Sequence, residues 1–125
     1  MAATSITCPG TPASVPAARQ FLRRILAWSP RVDDLEIIAC ELMSNAIQHT
    51  PSGHDGGTFT MTIRWAPGAA RIELEDDGTG QWNAAPDDAL AECGRGLTLV
   101  SALADDAGHD ITPDQHHRVW AAVTW

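Results

Sequence analysis

Two alternating runs joined by Pro67-Gly68 constrain this chain most. Phe59, Met61, Ile63 and Trp65 alternate with Thr58, Thr60, Thr62 and Arg64, the period of two that marks a half-buried strand. After the Pro-Gly turn, Ala70, Ile72 and Leu74 alternate with Arg71, Glu73 and Glu75, so this second run predicts the hairpin partner of the first. The alternation extends one step further. If Ile72 and Leu74 face the core, Asp76 does too, and Asp77 faces outward. A carboxylate pointing inward at the end of a strand is costly unless something hydrogen-bonds to it. Gly78-Thr79-Gly80 follows at once, where the chain can bend sharply and let a ligand approach the backbone.

Upstream of the hairpin the period changes to that of a helix. From Val32 to His49, Leu35, Ile38, Leu42 and Ala46 share one face at about 100° per residue. Glu41 and Asn45, four residues apart, lie together at the edge of that face. They are either a solvated helix margin or a carboxylate and carboxamide placed for use. Asp33 and Asp34 suit the first turn, and Pro51 disfavours helical geometry at Thr50. An earlier helix carries Ala18, Phe21, Leu22, Ile25 and Leu26 on one side, with Ser14 as its expected cap and Pro16 in its first turn. Its outer side bears Arg19, Arg23 and Arg24, a solvated face or a partner-binding one. Ser29-Pro30 separates the two helices. A short strand is expected around Ser5 to Cys8.

Gln81 to Cys93 is polar and irregular, the longest stretch without a pattern and suited to a mobile cover. Gly94-Arg95-Gly96 then leads into Leu97, Val100, Leu103 and Ala104, a short amphipathic helix. A glycine turn opening a helix presents free amides and the positive dipole end, a natural phosphate site. Asp106 to Ile111 and Arg118 to Trp125 complete the sheet, and no second domain is evident in residues 1–125.

Composition narrows the chemistry. Sixteen acidic against eight basic residues give a net charge of −8, which argues against direct nucleic-acid binding. All eight basic residues are arginine. Without lysine there is no P-loop and no strand lysine of the eukaryotic protein-kinase type. Any bound nucleotide would have its phosphates handled by metal, backbone amides and arginine. Cys8, Cys40 and Cys93 show no paired spacing and read as buried or incidental thiols. The five histidines form no metal motif. No apolar run approaches the ~20 residues of a membrane span, and no basic-then-apolar leader is present, so the cytoplasm is the expected location.

Three elements now stand in order: E-L-x-x-N-A-x-x-H on a helix (Glu41 to His49), D-x-G-x-G after a strand (Asp76 to Gly80) and G-x-G-L opening a helix (Gly94 to Leu97). Together they resemble the N, G1 and G2 boxes of the GHKL superfamily of ATPases, which includes gyrase, the heat-shock chaperone ATPases and histidine kinases. The small stand-alone anti-sigma-factor serine/threonine kinases are the most similar type. The resemblance covers nearly the whole chain. It implies an α+β fold, a two-layer sandwich (the Bergerat ATP-binding fold) with helices covering one face of a mostly antiparallel sheet. It implies ATP or ADP and Mg2+ as ligands. By that resemblance Asn45 holds Mg2+, Glu41 orients or deprotonates the attacking hydroxyl, and Asp76 accepts a hydrogen bond from the adenine amino group. Gly78 and Gly80 allow close approach of base and sugar, and Gly94, Arg95, Gly96 and Leu97 form the phosphate turn. The implied partners are a STAS-type anti-sigma-factor antagonist and a sigma factor, and a homodimer is compatible with the pattern.

Two departures stand out. Kinase relatives often carry an arginine just before the phosphate turn, where this chain has Glu92 and Cys93. Many relatives begin the last strand with a small hydroxyl residue near the adenine, where this chain has His117 and Arg118. The leading expectation is a kinase that phosphorylates the antagonist and sequesters the sigma factor. The alternatives are a catalytically inactive nucleotide-dependent switch and a detached histidine-kinase-like ATPase domain. The last fits least, because fewer than 35 residues precede the Glu41 helix and no phosphoacceptor helix pair fits there.

Overall fold

The computed structural model describes residues 2–49, 56–76 and 99–125. Strand β1 (Ala2–Pro9) precedes helices α1 (Ser14–Ile25) and α2 (Val32–His49), and the hairpin β2 (Thr58–Ala66) and β3 (Ala69–Asp76) follows. A helix described over residues 99–103 (α3) leads into β4 (Asp106–Ile111) and β5 (His117–Thr124). The five strands form one sheet in the order β1-β2-β3-β5-β4, with every neighbouring pair antiparallel. The fold is the expected α+β two-layer sandwich.

The hairpin forms as its alternation requires. Ala66 pairs with Ala69, so Pro67 and Gly68 alone make the turn. Gly68 has φ +79°, the left-handed backbone that a type II turn needs at its second central position, with proline favoured at the first. A Cβ there would also come within 3.0 Å of the Trp125 carbonyl, whose own amide donates to the Gly68 carbonyl at 2.9 Å. Phe59, Met61, Ile63, Ile72, Leu74, Ala121 and Val123 are buried on one face of the sheet. Leu35, Ile38, Ala39, Leu42, Met43 and Ala46 of α2 are buried in the same core, at the i, i+3, i+4, i+7 spacing that keeps them on one face. Ala18, Leu22 and Leu26 join from α1 and its end.

Electrostatic ties fix the helices to one another. Arg19 and Arg23 both pair with Glu36, and Arg23 reaches Asp33 at 2.9 Å. Two of the three outer arginines of α1 are therefore spent on α2 rather than on solvent or a partner. At the start of α2, Arg31 donates to Asp34 at 2.7 Å, to the Leu103 carbonyl at 2.9 Å and to the Thr124 carbonyl at 3.2 Å. One guanidinium thus ties the end of α3 and the end of β5 to the start of α2, and the Leu103 carbonyl at the end of α3 is a favourable partner for a cation.

Two local expectations shift. Ser14 is the first residue of α1 and makes no cap bond; Ala13 holds the cap position. Strand β1 runs from Ala2 rather than from Ser5, because Ala2, Ala3 and Thr4 pair with Trp65, Arg64 and Ile63. Tertiary pairing extends the strand beyond its own apolar signal.

Candidate functional site

Glu41 and Asn45 lie one turn apart on α2, both half-buried beside the apolar stripe of Leu42, Met43 and Ala46. The helix packs against β3, the strand that ends in Asp76. That carboxylate is turned into the core as the alternation requires: Asp76 is 4% exposed and stands opposite the buried Phe59 in the ladder. The helix residues and the strand-end acid therefore belong to one layer interface. A buried carboxylate needs hydrogen-bond partners, and His117 is within reach, its Nδ1 3.3 Å from Asp76 Oδ2.

His117 opens β5 and is itself 3% exposed. The β3–β5 ladder ends at Glu75 opposite Arg118, and one step beyond it Asp76 faces His117 with both side chains on the core side. Across β5 the His109 ring of β4 lies 5.5 Å from the His117 ring, centroid to centroid, tilted by 52°. In the sequence His117 stands out only as a departure from a hydroxyl residue. A period-two count along β5 from Val119, Ala121 and Val123 back to His117 was the signal that could have placed it inward.

Gly78, Gly80, Gly94, Arg95, Gly96 and Leu97, with the stretch Gln81 to Cys93, lie outside the described residues. Among the described residues no three His, Cys, Asp or Glu side chains come together as a metal cluster, and no helix is long and apolar enough to cross a membrane. Burial pushes the thiols of Cys8 and Cys40 above the ordinary cysteine range, which leaves both as poor nucleophiles.

The ligand set implied by the motifs can be tested against these positions. An ionised Asp76 only accepts hydrogen bonds, which suits an adenine amino group and opposes a guanine carbonyl. The Asn45 carboxamide would offer one hard oxygen to Mg2+, an ion that commonly keeps waters and takes phosphate oxygens. The residues present fit an adenine nucleotide with Mg2+.

Comparison with known proteins gives the same direction. A model of the "Histidine kinase-like ATPase domain" family matches residues 8–121. No curated protein matches the chain. Among solved structures, the RsbU and RsbW domains of Rv1364c from Mycobacterium tuberculosis align with a TM-score of 0.67 at 19% identity, over 99% of this chain and 32% of that one. This chain thus spans about a third of that protein's length. The SiaB–SiaC complex from Pseudomonas aeruginosa aligns with a TM-score of 0.61 at 16% identity, over 98% of this chain and 89% of that one. At these identities the two structures share the fold. The family match covers almost the whole sequence, and the chain belongs to the histidine kinase-like ATPase family, the GHKL class its three motifs resemble.

Proposed function

We propose that this chain binds ATP with Mg2+ and acts in the cytoplasm as an anti-sigma-factor serine/threonine kinase. It would phosphorylate a STAS-type anti-sigma-factor antagonist and sequester a sigma factor. The observation that carries the reading is Asp76, a carboxylate buried at the end of β3 beneath the helix that bears Glu41 and Asn45. Family membership and the fold shared with an RsbW domain and with the SiaB–SiaC structure support it.

Each residue then has a distinct task. Asp76 accepts the adenine amino hydrogen bond and rejects guanine. Asn45 offers its side-chain oxygen to Mg2+. When bound, Mg2+ supplies charge neutralisation at the phosphates. Gly78 and Gly80 admit base and sugar, and the Gly94–Leu97 amides with Arg95 hold the phosphate end. Glu41 aligns the serine or threonine hydroxyl of the antagonist and takes its proton as the oxygen bonds to the γ-phosphorus, releasing ADP. Phosphoryl transfer of this kind depends on positioning and charge stabilisation.

Glu92-Cys93 ahead of the phosphate turn favours a second reading, a nucleotide-dependent switch that binds partners and transfers nothing. Incubation with ATP, Mg2+ and candidate STAS-type antagonists, read by intact mass, separates the two. The kinase reading expects one phosphoryl group on the antagonist. A chain that binds ATP and a sigma factor yet never labels any antagonist is the switch.

A further inference from the structure

We propose that His117 is a positioning residue for nucleotide recognition: its Nδ1–H holds Asp76 Oδ2, fixing the carboxylate so that its other oxygen is presented to the adenine amino group. The inference rests on the ATP reading above and assigns to β5 a part in base specificity that the three motifs do not contain.

Four observations carry it. His117 and Asp76 are 3% and 4% exposed, so neither is held by bulk water. Their polar atoms lie 3.3 Å apart, a long bond that tightens readily when a ligand closes the site. The two residues face each other one step past the end of the β3–β5 ladder, so the backbone sets their separation. The His109 ring of the neighbouring strand lies against the His117 ring, 5.5 Å centroid to centroid. A carboxylate free to turn about its last torsion presents its oxygens over a range of directions. One held through Oδ2 presents Oδ1 in a single direction, and that preorganisation favours a directional donor over none.

A structural role and a positioning role differ in their coupling to Asp76. The test measures ADP affinity by calorimetry without Mg2+, with GDP as the comparison nucleotide. His117→Leu keeps an apolar side chain of similar volume and removes the donor. His117→Asn places an amide N–H where Nδ1 stood. The expectation is that His117→Leu weakens ADP binding by about tenfold, while His117→Asn stays within about threefold of wild type. In an Asp76→Asn background the Leu substitution should change ADP affinity by less than about twofold, because the carboxylate it orients is gone. GDP binding, weak throughout, should gain relative to ADP in His117→Leu.

An ADP affinity in His117→Leu equal to wild type overturns the proposal. So does a tenfold loss that persists undiminished in the Asp76→Asn background, which marks a packing role. Should His117→Leu not fold, His117→Asn decides alone: a loss beyond tenfold in a folded Asn variant overturns the idea, and retained affinity and selectivity support it. A folded wild-type chain that binds no ADP removes the ATP reading and this inference together. A wild type that binds ADP with variants that do not discriminate removes the inference alone.

Discussion

Strand β3 carries two buried carboxylates three residues apart, on opposite faces of the sheet, and they are handled in opposite ways. Glu73 lies on the face away from the helices. Arg64 and Arg71 stand directly opposite one another there, a like-charge pair that would destabilise the sheet by itself. The Glu73 carboxylate resolves it, with Oε2 at 3.0 Å from Arg64 Nε and 2.8 Å from Arg71 Nε. Arg71 in turn stacks 4.0 Å over the Trp120 ring, which closes over the bare Gly108 backbone, where a Cβ would meet Cζ2 at 2.8 Å. Two fixed positive charges and an aromatic lid make Glu73 structural. Asp76, on the helix side, faces the His117 ring, at the end of a strand rather than in its middle. The contrast teaches that burial alone does not give two acids the same role: one is clamped between guanidiniums in mid-strand, the other stands beside a ring at the strand's end.

The sharpest way to break that comparison is to disable the helix-side chemistry and watch whether the fold notices. Glu41→Gln keeps the side-chain shape on α2 and removes the charge. Antagonist phosphorylation should fall by roughly 10² or more, the usual scale for a catalytic base, with ATP affinity unchanged within a few-fold. Single-turnover labelling beside a binding titration checks both halves. Equal labelling by wild type and variant would remove Glu41 from the mechanism.

Next in size is base recognition. Asp76→Ala should lower ATP and ADP affinity together, since both carry adenine. A charge-assisted hydrogen bond is worth roughly 1.5–3 kcal/mol, about ten- to a hundredfold. Calorimetry that finds ATP and GTP equally tight in the wild type would sink the assignment. Asn45→Ala should act differently, losing the Mg2+-dependent part of ATP binding while ADP binding without metal stays close to intact. Titrations with and without Mg2+ that show the same loss would return Asn45 to a plain helix margin.

Much of this was legible in the sequence, and the reasons are physical. The hairpin, the α2 span from Val32 to His49 and the inward Asp76 follow from periodicity, which is a local property. What escaped depends on pairing between distant segments. Nothing near Glu73 says that Arg64 will stand opposite Arg71, because that register is set by the whole β2–β3 ladder. The arginines of α1 read as solvated or partner-binding until α2 brings Glu36 and Asp33 to Arg19 and Arg23. The Asp76–His117 contact joins residues 41 positions apart and needs the sheet order β3-β5 to exist at all.

Glu73→Gln tests the other side of the comparison. The carboxylate is well covered while both guanidiniums are partly solvated, which screens the change, so the destabilisation should be about 1 kcal/mol. The urea midpoint should drop with no change in slope, and ADP affinity should stay within about twofold. A large affinity loss here would mean that the two faces of the sheet are coupled, and that Glu73 is more than structural.

The smallest effect expected lies at the far edge of the sheet, in two exposed aspartates with different kinds of partner. The Thr124 amide and hydroxyl, at 2.6 and 2.8 Å, hold the Asp105 carboxyl below the ordinary range. Arg118, bonded at 2.8 and 2.7 Å, does the same for Asp110. For both, the folded value lies below the unfolded one. Their stabilisation is therefore present above the unfolded aspartate value of about 3.9 and is lost as pH falls through the folded value. Asp105→Asn and Asp110→Asn, which mimic the protonated forms, should each lower the urea midpoint slightly at about pH 6 and converge on wild type toward about pH 2. Salt then divides them. Near 1 M the screening length is about 3 Å, so the Asp110→Asn deficit should shrink because it reports an ion pair. The Asp105→Asn deficit should persist, because its partners are a neutral amide and hydroxyl. Equal salt sensitivity in the two variants would show that the Asp105 contribution is a field effect of the nearby Arg31 rather than a hydrogen bond.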